Sequence, residues 1–171
     1  MNFNYFYKYN NIYFVFANEF SNLPKNINSI ALFKNTNDAQ FYSKLQNITK
    51  CAVLSNNAND IQFWINKNID YIVNPFDFKS KGFDKNTFSI LIQNKILPII
   101  LLEKLFINNK QNQIQIFKHL IAFVKLCKKY KLPLIILSNN IELTYATYSI
   151  LGYNEKQAER FLSNISDLNE E

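Results

Sequence analysis

The amino-acid sequence predicts an α/β, TIM-barrel-like fold, a compressed or incomplete barrel of about seven mostly parallel strands in a single domain over residues 1–171. Two uninterrupted apolar runs, at residues 97–102 and 132–137, support this class because helices cover both faces of parallel strands. Between them, residues 113–130 carry apolar side chains at spacings of three and four, which indicates a long amphipathic helix. Strand, helix and strand form the repeating unit of a parallel sheet, so we expect the remaining chain to repeat it.

The long helix has a predicted buried face and a predicted exposed face. The buried face is expected to hold Ile114, Phe117, Leu120, Ile121, Val124 and Cys127. The exposed face is expected to hold Lys118, Ala122, Lys125 and Lys129. An apolar stripe of this kind packs a surface helix against a sheet.

The number of strands decides between a barrel and an open sheet. The predicted strand centres are Phe3, Phe14, Ile30, Val53, Ile72, Ile100 and Ile135. About seven strands are too many for a small three-layer sheet and nearly enough to close a barrel. A barrel is therefore favoured, and an open doubly wound sheet is the alternative.

Turn and capping residues place the other elements. Extended segments are predicted at residues 1–7, 12–17, 29–33, 51–54 and 70–73, with a turn at 8–11. Asn35 or Thr36 is expected to cap the helix before the 51–54 strand, and Asn59 or Asp60 to begin the helix after it.

Two further helices are predicted after the last strand, at residues 142–151 and 155–165. Gly152 lies between them and is expected to form a left-handed cap at the end of the first.

Charge and cysteine content bound the partners and the compartment. A formal net charge of +6 and a pI near 9.2 attract polyanions, although AT-rich coding explains the many Lys and Asn residues equally well. Cys51 and Cys127 lie in apolar segments and are expected in the core, not in a disulfide or metal site. The sequence shows no signal-like segment and no membrane-length apolar run, so we expect a cytoplasmic protein.

A search for catalytic chemistry is mostly negative. His119 is the only histidine and is expected in a core or flanking role. Gly82 and Gly152 are the only glycines, which excludes a glycine-rich phosphate loop. Zinc and multinuclear hydrolase sites need converging clusters of His, Cys and carboxylates, which this sequence does not supply. We therefore expect no catalytic residue, no metal ligand and no cofactor.

Four acidic residues follow predicted strands and would lie at one rim of a barrel. Asp84 and Glu142 are better explained as charges in the first turns of helices. Asp77 and Glu103 have no predicted partner.

Basic residues cluster in two places. One group surrounds the loops after two parallel strands, which leave the same rim, and is predicted to bind nucleic-acid phosphates: Lys79, Lys81, Lys85, Lys104 and Lys110. The other group lies on the long helix and is expected to be solvated surface: Lys118, Lys125, Lys128, Lys129 and Lys131.

From residue 70 to about 167 the sequence carries an ordered set of motifs. They are Asp70-Tyr71-Ile72-Val73-Asn74-Pro75, Gly82-Phe83-Asp84, Leu97-Pro98-Ile99-Ile100, Lys128-Lys129-Tyr130-Lys131-Leu132-Pro133, Leu137-Ser138-Asn139 and Leu151-Gly152-Tyr153. In this order and spacing, the chain resembles the thirty-kilodalton-type protein subunit of archaeal and eukaryotic ribonuclease P (the ribonuclease P protein component 3 family), as a short and divergent member. Residues 1–67 match only in the rhythm of their elements.

The resemblance implies both fold and function. It implies a barrel related to the polymerase-and-histidinol-phosphatase hydrolases but without their metal site. It also implies a noncatalytic subunit of the ribonuclease P holoenzyme, an endoribonuclease whose catalytic RNA removes the 5′ leader of precursor tRNA. The implied partners are ribonuclease P RNA, precursor tRNA indirectly, and a second small ribonuclease P protein in a heterodimer or heterotetramer.

Two departures from the family bear on RNA binding. The family carries an acidic residue where this chain has Ile99-Ile100-Leu101, and arginines where it has Gln111, Gln113 and Gln115. Two alternative functions remain: a degenerate metal-dependent phosphoesterase built on a barrel, and a binding module without RNA.

Overall fold

The computed structural model of the protein describes residues 4–24, 27–77, 79, 83–106 and 110–166, without the side chains of residues 110 and 111. The strands are β1 (Tyr7–Tyr9), β2 (Ile12–Phe16), β3 (Ser29–Phe33), β4 (Lys50–Leu54), β5 (Tyr71–Val73), β6 (Leu97–Leu101) and β7 (Ile135–Leu137). The α-helices are α1 (Ala39–Leu45), α2 (Ala58–Ile65), α3 (Lys85–Gln93), α4 (Leu102–Leu105), α5 (Lys110–Tyr130), α6 (Ile141–Ile150) and α7 (Glu155–Ser166). Short 3₁₀ helices occupy Ala17–Asn22 and Thr36–Asp38.

The described strands form one seven-stranded sheet whose spatial order is the chain order, β1 to β7. β1 pairs with β2 antiparallel, and each later strand pairs with the one before it in parallel. A doubly wound sheet reverses its strand order at a switch point, which this sheet does not do. Hydrogen bonds through Glu103 connect β1 to the end of β7, so the sheet curls into a nearly closed barrel. The predicted TIM-barrel-like class is confirmed.

The apolar strands are buried on both faces, as their uninterrupted sequences predict. All five residues of β3 and all three of β7 are buried. On the helix side of the sheet, the Phe33 ring packs against Trp64 of α2 with ring centroids 4.5 Å apart. Phe76, Phe88 of α3 and Phe123 of α5 form a second aromatic cluster. The ring centroid of Phe123 lies 5.5 Å from that of Phe76 and 5.1 Å from that of Phe88. Both cysteines lie in this core, Cys51 at 2% and Cys127 at 0% exposure, as predicted.

The buried face of α5 differs from the predicted one. Ile114 and Phe117 are 61% and 43% exposed, whereas Ile116 and Phe123 are fully buried. The buried residues Ile116, Leu120, Phe123 and Cys127 follow one another at steps of four, three and four residues, so they fit one helix face as well as the predicted set does. The sequence contains two overlapping apolar stripes, and contact with the sheet, which periodicity does not reveal, selects between them.

Boundaries in the first half also shift. The strand centred on Phe3 lies outside the described residues, and β1 instead covers the first part of the predicted 8–11 turn. The turn itself is at residues 10 and 11, where Asn10 adopts a positive φ of 51°. Asn57, not Asn59 or Asp60, caps α2 by accepting a hydrogen bond from the Asn59 backbone N–H.

Two predicted caps are confirmed. The Asn35 side chain accepts a hydrogen bond from the Asn37 N–H at the start of the 3₁₀ turn that leads into α1. Gly152 follows α6 with a φ of +76°, a conformation that side chains rarely adopt.

Candidate nucleic-acid interface

The carboxyl ends of the parallel strands β2 to β7 meet at one edge of the sheet, which we call the carboxyl rim. Lys34, Asn74 and Ser138 directly follow β3, β5 and β7, and α4 brings Glu103 and Lys104 directly after β6. In barrels of this kind, functional side chains come from the loops at this end, because the strands below fix the scaffold. A functional site is therefore expected at the carboxyl rim.

Glu103 links the two ends of the sheet at this rim. The Tyr7 hydroxyl of β1 donates to Glu103 Oε2 at 2.8 Å. The Ser138 hydroxyl and the Asn139 backbone N–H donate to Oε1 at 2.6 and 2.7 Å. Partial burial acts to raise the pKa of this carboxyl, but the hydrogen bonds from Ser138 and Tyr7 prevail and lower it, so Glu103 is ionised at neutral pH. Burial and, to a lesser extent, the hydrogen bond to Glu103 raise the pKa of the Tyr7 hydroxyl, so this hydroxyl stays protonated and acts as the donor.

The partners of Glu103 answer a question that the sequence left open. Tyr7 and Ser138 lie 96 and 35 residues away along the chain, so no local spacing announces them. A carboxylate that already accepts three hydrogen bonds has little acceptor capacity left for a ligand, and here it connects β1 to the end of β7.

Asn74 fixes the start of the long loop after β5. Its φ is +43°, and its Oδ1 accepts a hydrogen bond from the Leu101 N–H at 2.9 Å. The Asn74 backbone N–H donates to the Ile99 carbonyl at 3.0 Å, so this residue continues the pairing of β5 with β6 for one more step. The loop that carries Lys79 therefore leaves the sheet from a defined point.

His119 and Asp77 tie that loop to α5. His119 is 7% exposed; its Nδ1 lies 2.7 Å from the Asp77 carbonyl oxygen and its Nε2 lies 2.8 Å from Gln115 Nε2. The Asp77 carboxylate accepts hydrogen bonds from Asn56 at 2.6 Å and from the Lys79 N–H at 2.7 Å. The predicted core role of His119 is confirmed, and Asp77, like Glu103, is a structural acceptor.

The structure places three of the predicted RNA-binding lysines at or near the carboxyl rim. Lys79 is exposed in the loop after β5, and Lys85 is exposed at the first residue of α3. Lys104 on α4 is half-buried, with Nζ 4.6 Å from the centre of the Phe6 ring. Lys81 and the side chain of Lys110 lie outside the described residues. The structure describes position only, so their role in RNA binding remains a prediction.

Sequence reasoning missed two lysines next to this group. Lys34 follows β3 and places Nζ 3.8 Å from the centre of the Phe16 ring. Lys8, in the middle of β1, places Nζ 5.0 Å from the centre of the Tyr13 ring, and its hydrogen bond with Tyr13 raises the pKa of Lys8. A signal for Lys34 was present, because it stands directly after a predicted parallel strand, as Lys104 does. Lys8 lay in a segment that the sequence assigned to a turn.

Two cavities open among these side chains. The larger, of about 870 Å³, is lined by residues 5–10 of the first hairpin, by Glu103 and Lys104, and by Ser138, Asn139 and Ile141. The smaller, of about 380 Å³, is lined by Lys34, Asn56 and Asp77, among others. Phe6 and Lys104 line both cavities, so the two cavities are adjacent, with Lys8 lining the larger and Lys34 the smaller.

The lysines of α5 are not all solvated surface. Lys128 Nζ donates to the carbonyls of Leu151 and Gly152 at 2.6 and 2.9 Å and lies 4.6 Å from the centre of the Tyr153 ring. It therefore satisfies the carboxyl end of α6, a structural role that corrects its predicted one. Lys118, Lys125, Lys129 and Lys131 are exposed, as expected.

The two acidic residues assigned to helix starts lie there. Asp84 precedes α3 and accepts hydrogen bonds from the Thr87 N–H and hydroxyl at 2.8 and 2.9 Å, which lower its pKa. Glu142 lies in the first turn of α6. Neither carboxylate reaches into the two cavities, whose described lining residues include neither Asp84 nor Glu142.

The part of the chain that the structure describes offers neither a cluster of metal ligands nor a membrane-length apolar helix. There, no group of three or more His, Cys, Asp or Glu side chains is arranged to hold a metal ion. Burial raises the pKa of the Cys51 thiol to about 12 and also raises that of Cys127, so both thiols stay protonated and unreactive. Among the same residues, no helix combines the length and apolar character needed to cross a membrane.

The fold is similar to that of a chain in the cryo-EM structure of archaeal ribonuclease P with mature tRNA. The likeness has a TM-score of 0.74 at 12% sequence identity, and covers 92% of this chain and 81% of that chain. At the level of sequence, no family model and no curated protein matches this chain. At so low an identity the likeness establishes a shared fold, which agrees with the strand order described above.

Proposed function

We propose that this chain, acting as a single domain over residues 1–171, is a noncatalytic protein subunit of ribonuclease P that supports the catalytic RNA in removing the 5′ leader of precursor tRNA. The observation that carries the proposal is the likeness, over 92% of the chain, to a chain of archaeal ribonuclease P. The same family was inferred from motifs in residues 70–167, so sequence and fold support it by separate routes. Its relation to the polymerase-and-histidinol-phosphatase fold is part of this proposal.

In this proposal the protein supplies charge and shape, and RNA-bound magnesium supplies the chemistry of phosphodiester hydrolysis. The lysines at the carboxyl rim support this division of labour, since an ammonium is a point charge that positions a phosphate backbone without reading bases. The carboxylates near them, Glu103 and Asp77, are already hydrogen-bonded within the protein. Their oxygens are thus engaged in supporting the fold, which favours a structural role for both carboxylates.

Of the three glutamines that replace the family's arginines, Gln113 and Gln115 make hydrogen bonds within the protein. Gln113 Nε2 donates to the Phe106 carbonyl at 3.0 Å, and Gln115 pairs with His119. Ile99, Ile100 and Leu101, where the family has an acidic residue, are fully buried. We infer that RNA contact in this chain has moved from the start of α5 to the lysines of the carboxyl rim.

We further propose a cytoplasmic complex with ribonuclease P RNA and a second small ribonuclease P protein, as a heterodimer or a pair of heterodimers. Exposed apolar side chains support a protein partner: on α5, Ile114 and Phe117 are 61% and 43% exposed, and on α6, Ile141 and Leu143 are 49% and 47% exposed. Ile114 and Phe117 are three residues apart and so share one face of α5, and exposed apolar side chains that share a face are typical of interaction sites.

Affinity purification of the tagged chain from its native host, with sequencing of bound RNA and mass spectrometry of bound proteins, tests the proposal. We expect ribonuclease P RNA and one further small protein at stoichiometric levels, and 5′-leader cleavage by the eluted complex. The purified chain alone should hold no stoichiometric zinc, manganese or iron and should hydrolyse neither RNA nor a phosphate ester, because hydrolysis would need a ligand cluster. Elemental analysis showing one tightly held ion per chain would favour the phosphoesterase alternative. Recovery of proteins without RNA would favour the binding module.

A further inference from the structure

The hairpin of β1 and β2, with the residues that precede it, interleaves lysines with aromatic rings. Three ammonium groups each lie over a ring: Lys8 over Tyr13 at 5.0 Å, Lys34 over Phe16 at 3.8 Å and Lys104 over Phe6 at 4.6 Å, from Nζ to ring centre. The adjacent residues Tyr5 and Phe6 join these pairs, since Tyr5 packs edge-on against Tyr13 and Phe6 tilts against Phe16. We call these residues, 5, 6, 8, 13, 16, 34 and 104, the lysine–aromatic surface.

This surface is accessible and carries net positive charge. Tyr5 is 52% exposed, Lys8 and Lys34 are exposed, and Phe6 and Phe16 are half-buried. Four of its residues, Tyr5, Phe6, Lys8 and Lys104, line the cavity of about 870 Å³. Glu103 also lines that cavity as an ionised carboxylate, but Lys8 and Lys104 leave the cavity with a net positive charge, and the Glu103 oxygens already accept hydrogen bonds from Tyr7, Ser138 and Asn139. A ligand therefore meets aromatic faces and ammonium groups there.

We propose that the lysine–aromatic surface binds unpaired nucleotides, with one or more bases stacked on Tyr5 and Phe6 and the flanking phosphates on Lys8, Lys34 and Lys104. Aromatic platforms within a positive groove are how proteins hold single-stranded nucleic acid without reading its sequence. Every base has a flat π-face, whereas a duplex shows a protein mainly phosphates and groove edges. The inference deepens the proposed function, and it rests on that function only for the identity of the RNA.

The shape of the site agrees with this ligand. A cavity of about 870 Å³ falls within the range of roughly 300 to 1,000 Å³ that is usual for small-molecule sites, so it can admit a nucleoside. An ammonium group covers only one face of an aromatic ring, so a base can stack on the other face or on a neighbouring ring. The same ammonium group is then close enough to attract the phosphate of the stacked nucleotide.

The test is fluorescence anisotropy of the full chain with fluorescein-labelled ten-nucleotide oligo(U) and oligo(A), and with a blunt RNA hairpin of equal charge. We expect both single strands to bind more tightly than the hairpin. The Tyr5→Ala variant should weaken single-strand binding by about tenfold, since one stacked base contributes that order of affinity. Tyr5→Phe, which keeps the ring, should bind as the unchanged protein does.

Charge variants separate stacking from general attraction. Lys8→Gln with Lys34→Gln should make the salt dependence of oligo(U) binding shallower by about 0.7 per lost contact, the value for single strands. Lys125→Gln with Lys129→Gln removes the same charge from exposed positions of α5 and serves as the matched control, with an expected change near zero. Thermal unfolding of each variant, followed by circular dichroism, checks that folding is retained.

Each result bears on one of the two proposals. Equal binding by Tyr5→Ala and the unchanged protein, or a preference for the hairpin, would overturn the single-strand site even if ribonuclease P RNA copurifies with the chain. Tyr5-dependent binding of single strands without copurifying ribonuclease P RNA would keep the site and overturn the proposed function. If a copurifying protein, and no oligonucleotide, protects Tyr5 from modification, the surface is a protein interface and the inference is wrong.

Discussion

The two edges of the sheet, β1 and β7, are closed in different ways. All three residues of β7 are buried, and the Tyr148 hydroxyl of α6 accepts from the Ile136 N–H and donates to the Leu134 carbonyl, both at 2.8 Å. β1 instead alternates buried Tyr7 and Tyr9 with exposed Lys8, and it borders the large cavity. A buried side chain thus seals one edge, while the other remains open to ligands, and Glu103 connects the two at the carboxyl rim.

The difference separates stability from function along one sheet. The β6 and β7 side is buried under helices, so its free energy comes from apolar burial and satisfied backbone groups. The β1 and β2 side leaves rings and ammonium groups exposed or half-buried, so these side chains contribute less to the free energy of unfolding. We expect substitutions at the first side to affect unfolding, and substitutions at the second side to affect binding.

The largest expected effect is in the core of the sealed side. Leu101→Ala and Ile135→Ala should each lower the free energy of unfolding by about 2–5 kcal/mol, because both side chains are fully buried and a cavity would remain. Urea denaturation measures the loss. Ile150→Ala, at a side chain that is 74% exposed, is the control and should change stability by no more than about 0.5 kcal/mol. Losses below about 1 kcal/mol at both core sites would mean that these strands are not doubly covered.

A smaller effect is expected from the hydroxyl that seals β7. Tyr148→Phe should lower the free energy of unfolding by about 1–3 kcal/mol, because it leaves a buried N–H and a buried carbonyl without a partner. Tyr153→Phe is the matched control: its hydroxyl is buried and makes no hydrogen bond in the structure, so its removal should be neutral or stabilising. Equal losses for the two variants would show that the edge of β7 is not sealed by Tyr148.

Glu103 tests the link between the two edges. Glu103→Gln should lower the free energy of unfolding by about 1–2 kcal/mol at neutral pH, since it replaces charge-assisted hydrogen bonds with weaker ones. The pKa of Glu103 is lower in the folded protein than in the unfolded chain, where the pKa of a Glu is about 4.3. Its contribution is therefore present above that pH and is lost as the pH falls through the folded pKa.

The measurement for Glu103 is stability against pH for the unchanged protein and the variant. The two curves should converge on acidification. Glu159→Gln, at an exposed position of α7, should show no such pH-dependent difference. Curves that stay parallel to low pH would mean that the carboxylate is not what connects β1 to β7.

The sequence predicts the β6 and β7 side of the sheet better than the β1 side. The uninterrupted apolar runs and the helix between them predict β6, α5 and β7, because burial on both faces leaves a local pattern. The antiparallel β1 is misplaced, since Lys8, Asn10 and Asn11 lie between two extended segments and so resemble a turn. On α5, Ile114 and Ile116 fit two stripes equally, and only the packed sheet distinguishes them.

Among the site residues, the lysines after parallel strands were predictable from chain order alone, because such strands all end at the same rim. The partners of Glu103, and Asn56 as a partner of Asp77, were not, since they come from distant parts of the chain. Lys128 was assigned to the solvated surface because its carbonyl partners lie 23 and 24 residues further along the chain, at the end of α6. Local patterns thus predict elements and rims, and they miss contacts that the fold itself creates.

The smallest effect, and the most informative for function, concerns the salt dependence of RNA binding. Combined Lys79→Gln, Lys85→Gln and Lys104→Gln changes should make the slope of log affinity against log salt shallower by about one unit per lost phosphate contact, because fewer counterions are released. The probe is ribonuclease P RNA with the copurified partner protein present. Lys125→Gln with Lys129→Gln is the control, drawn from exposed α5 lysines; Lys128 is avoided because it caps α6. A shallower slope for the α5 variant alone would move the RNA to the outer face of that helix, and the open edge at β1 would then lose its assigned role.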